Sequence, residues 1–263
     1  GPGWELEAKP TMLGIIASSG AKQLGEQLGL DSQVVDTQWG AVQLRTGQIE
    51  DRPVVCVARH GESTVVPPHR VNYRANIAAL SSVGCTGILA TNAVGSLHAK
   101  IKPSMLCLAD QILDFTKNRC LTFHEDEILC VDFTTPYCSH LQQVALAAAQ
   151  SLSQQLHAGM VYACMEGPRF ETAAEIRMLQ ILGADLVGMT AIPEAALARE
   201  KGLCYASLCV VTNLAAGVES HHPSSSEVTA TMQESWDIVL NLTRAIARAY
   251  DDDPACPCHS PTL

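Results

Sequence analysis

Residues 53–61, which read PVVCVARHG, hold the pattern that decides the fold of this chain. The apolar run 53–58 has the length and β-branched content of a buried strand, and it ends directly in Arg59 and His60. In open α/β sheets the ligand crevice lies at the carboxyl ends of the strands. The run therefore predicts one strand of an α/β sheet, with two polar side chains at the edge of a ligand site.

Further apolar runs alternate with helical patterns from Met12 to Tyr250. This alternation predicts a mixed α/β sheet with crossover helices. Pro193 suits the first turn of a short helix, and the last helix is expected to begin near Ser226 and to run through Ala249. The other predicted elements are strands at residues 12–16, 87–90, 105–113, 160–165, 186–189 and 204–212, and helices at residues 72–83, 140–156 and 172–182.

Polar or small residues gather where five of these strands end. If the strands are neighbours in one sheet, their carboxyl ends meet at the same edge, so these residues are predicted to line one pocket. The residues are Ser18, Ser19, Arg59, His60, Thr91, Asn92, Met189, Thr190, Thr212 and Asn213.

The chain has 263 residues, of which 47% are hydrophobic and 17% charged. These values suit a single α/β domain, and the low charge is expected if another subunit covers part of the surface or if the apolar core is large. A net charge of −10 without a cluster of Lys or Arg argues against a nucleic-acid partner. No apolar run approaches the roughly 18 residues that span a membrane, and no signal peptide is visible.

The eleven cysteines are interpreted as mostly buried, free thiols. Their odd number and irregular spacing argue against a secreted disulfide framework, so a cytoplasmic location is expected. Most stand singly in apolar runs, where a thiol packs as a small hydrophobic group. These are Cys56, Cys85, Cys107, Cys164, Cys204 and Cys209.

One domain is predicted over residues 12–250, with short additions at both ends. Residues 1–11, which open Gly-Pro-Gly, are interpreted as a vector-derived remnant before a natural start at Met12. Residues 251–263 are expected to form a loose acidic tail. The tail motif Cys256-Pro257-Cys258-His259 could be a redox or metal element, but two cysteines one residue apart provide only a strained or partial site. A disordered tail is the favoured interpretation.

Two groups of residues suit a phosphate ion. The turn Ser18-Ser19-Gly20 offers hydroxyl and backbone N–H donors, while Arg59 and His60 add a fixed cation and a switchable donor. The turn lacks the Gly-Lys-Ser/Thr ending of a P-loop, so ATP is not implied. Each of these features alone is more often structural, and it is their convergence that favours a site.

Two further positions suit a flat heterocyclic base. Asn213 closes the apolar run 204–212, and a buried amide is costly unless backbone or a ligand satisfies both of its halves. Glu171 could accept a hydrogen bond from a ring N–H while Phe170 stacks on the ring. The alternative interpretation of Glu171 is a carboxylate that stabilises the start of the following helix. His221 and His222 lack a convincing set of further metal ligands and are interpreted as loop residues near the pocket mouth.

Five motifs occur in order along the chain, at residues 59–61 (RHG), 67–76 (PPHRVNYRAN), 91–96 (TNAVGS), 166–172 (EGPRFET) and 188–194 (GMTAIPE). Several long motifs in a fixed order are far more specific than one short pattern. Together they resemble the trimeric purine nucleoside phosphorylase and methylthioadenosine phosphorylase family over roughly residues 12–249.

The resemblance implies a single-domain α/β nucleoside phosphorylase fold, with a mixed twisted sheet, a distorted barrel and flanking helices, assembled as a homotrimer. It implies that inorganic phosphate, as co-substrate, splits the N-glycosidic bond of a purine nucleoside without a cofactor or metal. Arg59, His60 and Asn213 would be the catalytic residues. By position, Ser19, Arg59, His60, Asn92, Ala93 and Thr190 would bind phosphate, Met189 would lie against the ribose, and Phe170, Glu171, Thr212 and Asn213 would hold the purine.

The hydrogen-bonding groups at Glu171 and Asn213 favour a 6-oxopurine, which presents an N1–H donor and an O6 acceptor. A carboxylate accepts from N1–H but faces the N1 lone pair of adenine unfavourably, and an Asn amide can donate to O6. Adenosine-type members of the family typically carry Ser and Asp at these two positions.

The motifs at residues 59–61 and 67–76 are more similar to the methylthio branch of the family. S-methyl-5′-thioinosine is therefore the favoured substrate, followed by inosine and guanosine. The alternatives are a methylthioadenosine phosphorylase, a catalytically weak purine-binding protein and a hydrolase of the same fold. One departure is the turn Ala17-Ser18-Ser19-Gly20, where the family usually has Gly-Gly-Thr-Gly or Gly-Ser-Gly, because fewer glycines restrict the turn.

Overall fold

The computed structural model describes residues 11–260, so most of the expected N-terminal remnant, residues 1–10, and the last three residues of the tail lie outside it. One sheet of nine strands forms the centre of this part. The strands are β1 (Leu13–Ala17), β2 (Asp31–Thr37), β3 (Gly40–Ile49), β4 (Arg52–Ala58), β5 (Gly87–Ser96), β6 (Leu106–Phe115), β7 (His157–Met165), β8 (Leu186–Gly188) and β9 (Cys204–Leu214).

Seven α-helices pack around the sheet in the described part of the chain. None of them has both the length and the apolar composition that a membrane crossing requires. The helices are α1 (Ala21–Gln27), α2 (Tyr73–Ser82), α3 (Ser139–Ser151), α4 (Ala173–Ile181), α5 (Glu194–Glu200), α6 (Ser225–Glu234) and α7 (Trp236–Ala249).

The sheet is mixed and closes on itself at one end. Its strand order is β2-β3-β4-β1-β5-β8-β7-β6-β9, and β9 returns to pair with β5. Strands β5, β8, β7, β6 and β9 thus form a closed barrel, while β1 and β4 extend the sheet in parallel beside β5. This arrangement confirms the predicted mixed sheet with a distorted barrel flanked by helices.

Strand β9 closes the barrel between β6 and β5, and its sequence explains why it is buried. Ten of its eleven residues are buried, as expected for a strand covered on both faces, which carries a continuous apolar run rather than an alternating pattern.

Side-chain caps determine where two of the helices begin. Asn72 accepts from the N–H of Ala75 at the start of α2, and Thr172 accepts from the N–H of Glu175 at the start of α4.

Several boundaries differ from the sequence-based prediction. Strand β5 continues through residues 91–96, because its pairing with β9 extends to Leu214 after a register shift at Val94/Gly95. The predicted final helix is two helices, with Ser224 capping α6 and a break at Ser235. The predicted helix 140–156 ends at Ser151. The antiparallel pair of β2 and β3 was not anticipated, since β2 is largely exposed and lacks an apolar run.

Residues 251–260 pack against the core, and this corrects the expected loose tail. Cys256 and Cys258 are buried, and His259 hydrogen-bonds to the Gly202 carbonyl and to Asp252. The sequence signal was weak because the contacts are remote along the chain: the Cys256 thiol meets Cys204 and Cys138, which are 52 and 118 residues away. The polar composition of this segment therefore predicted a loose tail, although two buried thiols hold it against the core.

Candidate active site at the strand ends

One cavity of about 930 Å³ opens where the strands of the sheet end. Residues from five strand ends line it, as the sequence pattern predicted. The sequence-predicted site residues at its wall are Ser19, Arg59, His60, Ala93, Phe170, Glu171, Met189, Thr190, Thr212 and Asn213. Of the residues that were predicted to line the pocket, Thr91 and Asn92 do not reach its wall, and both are buried.

Arg59, directly after β4, is held in place by a buried carboxylate. Its Nε and Nη2 donate to the two oxygens of Glu194 at 2.7 and 2.6 Å, and its Nη1 donates to the Thr91 carbonyl at 2.8 Å. Burial alone would lower the pKa of Arg59, but the charge and hydrogen bonds of Glu194 raise it above its usual value. The guanidinium therefore stays charged with a fixed plane, and two of its five N–H donors remain for a ligand.

Glu194 is a site residue that the sequence analysis quoted within a motif but assigned no role. It begins α5 and is 1% exposed, and its Oε1 also accepts from the Tyr205 hydroxyl at 2.7 Å. A buried carboxylate at this place is stable only because Arg59 and Tyr205 satisfy it. Its position at the end of the motif at residues 188–194 was the available sequence signal.

A chain of hydrogen bonds orients the hydroxyl of Thr190. Ser207 donates to Asn92 Oδ1 at 2.6 Å, and Asn92 Nδ2 donates to Thr190 Oγ1 at 2.8 Å. Because Thr190 Oγ1 accepts from Asn92, its own proton is directed away from Asn92 and is available to an anion in the cavity. The structure thus places the Asn92 side chain behind Thr190, where it orients the hydroxyl, rather than at the cavity wall.

His60 presents an acceptor to the cavity. Its Nδ1 lies 2.8 Å from the Val66 carbonyl, so Nδ1 carries the proton and donates, which leaves Nε2 with its lone pair. Burial lowers the pKa of His60 below its ordinary value, and the nearby charge of Arg59 lowers it further. The ring is therefore neutral at pH 7.

The turn after β1 places the Ser19 hydroxyl at the cavity with fewer glycines than is typical of the family that the motifs resemble. The Ser18 N–H donates to Thr91 Oγ1 at 3.0 Å, which fixes the turn, while Ser19 is exposed at the cavity wall. Gly20 has a φ of 68°, and an added Cβ would collide with the Trp236 ring. The turn thus requires glycine at position 20.

The opposite part of the cavity holds a buried carboxylate. Glu171 is 9% exposed, and burial raises its pKa above the ordinary value. The neighbouring Arg169 pairs with Glu175 at 2.9 Å rather than with Glu171. Phe170 lies beside Glu171 at the cavity wall, so a flat ring and a carboxylate face the same space.

Asn213 lies at the end of β9 with half of its hydrogen-bonding capacity in use. Its Oδ1 accepts from the Thr212 hydroxyl at 2.8 Å, and its Nδ2 donates to the Leu214 carbonyl at 2.9 Å. One lone pair and one N–H of the amide remain for a ligand. Thr212 thereby fixes which way the amide faces.

Arg119 ties loop 166–172, which carries Phe170 and Glu171, to segment 189–192, which carries Met189 and Thr190, and sequence reasoning did not identify it. Its Nε and Nη2 donate to the side chain and carbonyl of Glu166, and its Nη1 donates to the carbonyls of Met189 and Ile192 at 2.7 and 2.6 Å. The loops are also close at Gly167, where a Cβ would come within 2.5 Å of the Met189 sulfur. No local pattern marks Arg119, because its partners lie 47 to 73 residues away.

Comparisons with known proteins agree with this geometry. The family model described as the phosphorylase superfamily matches residues 13–248. A 6-oxopurine nucleoside phosphorylase of Pyrococcus furiosus is 43% identical over 86% of this chain and 88% of its own length. A protein of Methanopyrus kandleri named "probable S-methyl-5′-thioinosine phosphorylase" is 39% identical over 94% of this chain and 96% of its own length.

The solved structures include a methylthioadenosine phosphorylase from Schistosoma mansoni in complex with adenine. It is 31% identical to this chain and superimposes with a TM-score of 0.87, covering 92% of this chain and 93% of its own. The likeness therefore extends over most of the chain, and not over a single motif.

Proposed function

The chain belongs to the phosphorylase superfamily, and we propose that it splits the N-glycosidic bond of 6-oxopurine nucleosides with inorganic phosphate. The observation that carries this proposal is the cavity itself: anion donors at Arg59 and Thr190 share it with the base-recognition groups Glu171 and Asn213. An anion site and a flat-base site in one cavity suit a reaction in which phosphate replaces the base at the sugar carbon between them.

In the proposed reaction, an oxygen of phosphate forms a bond to C1′ while the C1′–N9 bond breaks. The bond electrons pass to the purine, and the products are the free base and the sugar 1-phosphate. Positive charge develops on the sugar and negative charge on the base, so catalysis rests on positioning and electrostatic stabilisation. The phosphate charge itself stabilises the sugar cation, without a covalent enzyme intermediate.

The anion site suits monohydrogen phosphate. Arg59 keeps two free N–H donors, and the Thr190 hydroxyl is oriented to donate by its bond from Asn92. Neutral His60 offers an acceptor at Nε2, which matches the single P–O–H group of this ion. Together, these groups provide donors for the oxygens and one acceptor for the proton.

Asn213 is proposed to stabilise the departing base. Its free N–H can donate to O6, and its free lone pair can accept from N7–H as the base gains a proton. Such contacts strengthen as the base becomes negative, so they favour the transition state over the bound nucleoside.

Glu171 supports the choice of a 6-oxopurine over adenine. A buried carboxylate accepts from N1–H, whereas adenine would place a lone pair against it. Sites built on such hydrogen bonds discriminate strongly, because the wrong base leaves buried groups unpaired. The names of the Pyrococcus and Methanopyrus relatives both refer to 6-oxopurine nucleosides, while the Schistosoma structure contains adenine.

The wall formed by α6 and the start of α7 favours an apolar 5′ substituent. Val228, Met232 and Trp236 line the cavity there, beside Ser225, Thr229 and Gln233. The three apolar side chains suit a methylthio group better than a hydroxyl. S-methyl-5′-thioinosine is therefore the proposed preferred substrate, with inosine and guanosine next.

A homotrimer is proposed as the assembly. Apolar side chains near the cavity and on the segment between β6 and α3 are exposed in the single chain: Val65, which lines the cavity, is 91% exposed, and Ile128 is 94% exposed. Coverage by another subunit would bury such side chains, and the homotrimer itself is proposed from the resemblance to the trimeric family. Light scattering should give three times the mass of one chain; a monomeric mass would contradict this assembly.

A substrate panel tests the proposed reaction. The purified chain is assayed for base release from methylthioinosine, inosine, guanosine, methylthioadenosine and adenosine, with and without phosphate. We expect release only with phosphate and a higher kcat/KM for the 6-oxopurine nucleosides. Release without phosphate would indicate a hydrolase, and tight purine binding without turnover would indicate a binding protein. A preference for adenine nucleosides would contradict the assignment of Glu171.

A further inference from the structure

Four buried cysteines converge at the start of β9, at the other end of this strand from the cavity residues Thr212 and Asn213. Cys138 precedes α3, Cys204 begins β9, and Cys256 and Cys258 belong to the segment after α7. Their exposed fractions are 2%, 0%, 6% and 6%, in that order. The four sulfur atoms all lie within 4.8 Å of one another.

The spacing of these sulfurs fits tetrahedral coordination of a metal ion. The Sγ of Cys256 is 3.7 Å from that of Cys138 and 3.6 Å from that of Cys204. A tetrahedral zinc ion with Zn–S bonds of about 2.3 Å places its sulfur ligands roughly 3.8 Å apart. The observed distances are therefore close to those of a four-sulfur zinc site.

The surrounding backbone suits thiolates rather than neutral thiols. Cys138 occupies the N-cap of α3, a helix of 13 residues, and its sulfur accepts from the N–H of Leu141 at 3.4 Å. The N-terminus of a helix stabilises negative charge. A four-thiolate zinc site carries a net charge of −2, so a donor at this end lowers the cost of burying it.

A buried cation, Arg199, precedes Gly202 by three residues, and Gly202 packs against the backbone of Cys258. Arg199 is 8% exposed and donates to the backbone carbonyls of Asp132 and Thr135. Its Nε has no hydrogen-bond partner among the described residues. Because two carbonyls do not neutralise a guanidinium, Arg199 offers positive charge to balance a nearby anionic centre.

The ligand chemistry selects the metal. Thiolates are soft ligands, which favour zinc over magnesium or calcium. Zinc in structural sites is almost always bound by four ligands in a tetrahedral arrangement. A second group, Cys204 with Asp252 and His259, also lies within 4.8 Å. Both ring nitrogens of His259 are already engaged, by the Gly202 carbonyl and by Asp252, so the four-cysteine set is the better site.

We propose that Cys138, Cys204, Cys256 and Cys258 bind one zinc ion that fastens the segment 251–260 to the core. On binding, the thiols release their protons to solvent and four Zn–S bonds form, without any redox change. All four coordination positions belong to the protein, which is typical of a structural site. The ion would stabilise the fold and would not take part in the reaction proposed above, so either proposal can fail alone.

Zinc content and a matched pair of variants test this site. The full chain is purified under reducing conditions without chelator, and the number of zinc ions per chain is measured by inductively coupled plasma mass spectrometry. We expect about one zinc per chain in the wild type, and a loss of most of it in Cys256→Ser. The control is Cys85→Ser, which removes a thiol of similar burial, 5% exposed, outside the cluster and should retain the metal.

Two further measurements need no variant. Cobalt(II) added to the reduced, chelator-treated chain should give the intense visible bands of tetrahedral thiolate coordination, and zinc should abolish them. Zinc removal should lower Tm by about 5 °C or more. The proposal is overturned if the reduced chain takes up neither metal, if Cys256→Ser keeps its zinc, or if the intact mass is lower by four hydrogens, which would indicate two disulfides.

Discussion

The two sides of the cavity satisfy their charges in opposite ways. On the phosphate side, Arg59 is paired with Glu194, and Asn92 is already bonded to Thr190. On the purine side, burial raises the pKa of Glu171, and Asn213 leaves one donor and one acceptor unused. The proposed phosphate side is thus held by side-chain pairs within the protein, whereas on the proposed purine side a backbone N–H donates to the Glu171 carboxylate and no side chain of the described residues pairs with it.

This difference predicts which side chains contribute to the stability of the fold and which contribute to substrate specificity. Groups that are paired inside the protein should affect folding when they are changed, because the partner is left buried and unsatisfied. Groups whose partner is the ligand should affect substrate choice and leave the fold nearly unchanged. The following variants test that division.

The largest effect is expected from exchanging the purine-side groups. In the double variant Glu171→Ser with Asn213→Asp, the ratio of kcat/KM for inosine to that for adenosine should fall by about 10³-fold or more, because the donors and acceptors are reversed. Steady-state kinetics with both nucleosides measures the ratio. Glu175→Ser, which changes a carboxylate paired with Arg169, is the control and should leave the ratio unchanged.

On the phosphate side, the expected effect is on stability. Glu194→Ala leaves the Arg59 charge buried and should lower the free energy of unfolding by about 3–5 kcal/mol. Urea unfolding measures the loss. The control Glu125→Ala removes a carboxylate that is 63% exposed in its pair with Arg74 and should cost less than about 1 kcal/mol. Equal losses in the two variants would contradict the distinction drawn between the two sides.

Arg119 lies between these cases, since it holds loop 166–172, which carries Phe170 and Glu171, and also contacts the carbonyls of segment 189–192. The Thr190 hydroxyl in that segment is held independently by Asn92. Arg119→Lys keeps the charge but cannot reach Glu166, Met189 and Ile192 together. We expect the KM for nucleoside to rise by about tenfold, with a smaller change in the KM for phosphate. Arg169→Lys, at an exposed arginine, should change neither constant. If the KM for phosphate rises as strongly as the KM for nucleoside, Arg119 does not act mainly through loop 166–172.

The smallest effect is a pH dependence of nucleoside binding. The pKa of Glu171 is raised above 4.5 by burial, so the carboxylate that accepts from N1–H is lost as the pH falls through this raised value. The kcat/KM for inosine should then fall by up to about tenfold per pH unit on the acid side. Glu171→Gln should flatten this limb. An unchanged acid limb in the variant would assign it to another group.

Part of the site was predictable because its signals are local. Arg59, Thr190 and Asn213 each follow an apolar run directly, and a strand end can be recognised from a few neighbouring residues. Glu171 follows Phe170 within one motif, so its role was also predicted. The structure brings these residues to one cavity, while their chemical roles remain proposals.

Other parts depended on contacts that no local pattern records. The pairing of Arg59 with Glu194 joins residues 135 positions apart. The Asn92 side chain bonds to Thr190 and does not line the cavity, while the phosphate role predicted for Asn92 stays a prediction. The segment 251–260 was expected to be loose because its composition is polar, yet Cys256 and Cys258 are buried against Cys138 and Cys204. Single cysteines in apolar runs gave no indication that four of them share one point.

The sequence by itself determined the α/β class, the strands that end in polar residues and the family that these motifs resemble, since periodicity and motifs are properties of adjacent residues. The tertiary structure alone decided which polar groups satisfy each other and which remain for a ligand, and it alone assembled the four-cysteine cluster. The physical reason is that a hydrogen bond or a coordination site depends on distances of a few ångströms between residues that the chain separates by 50 to more than 100 positions.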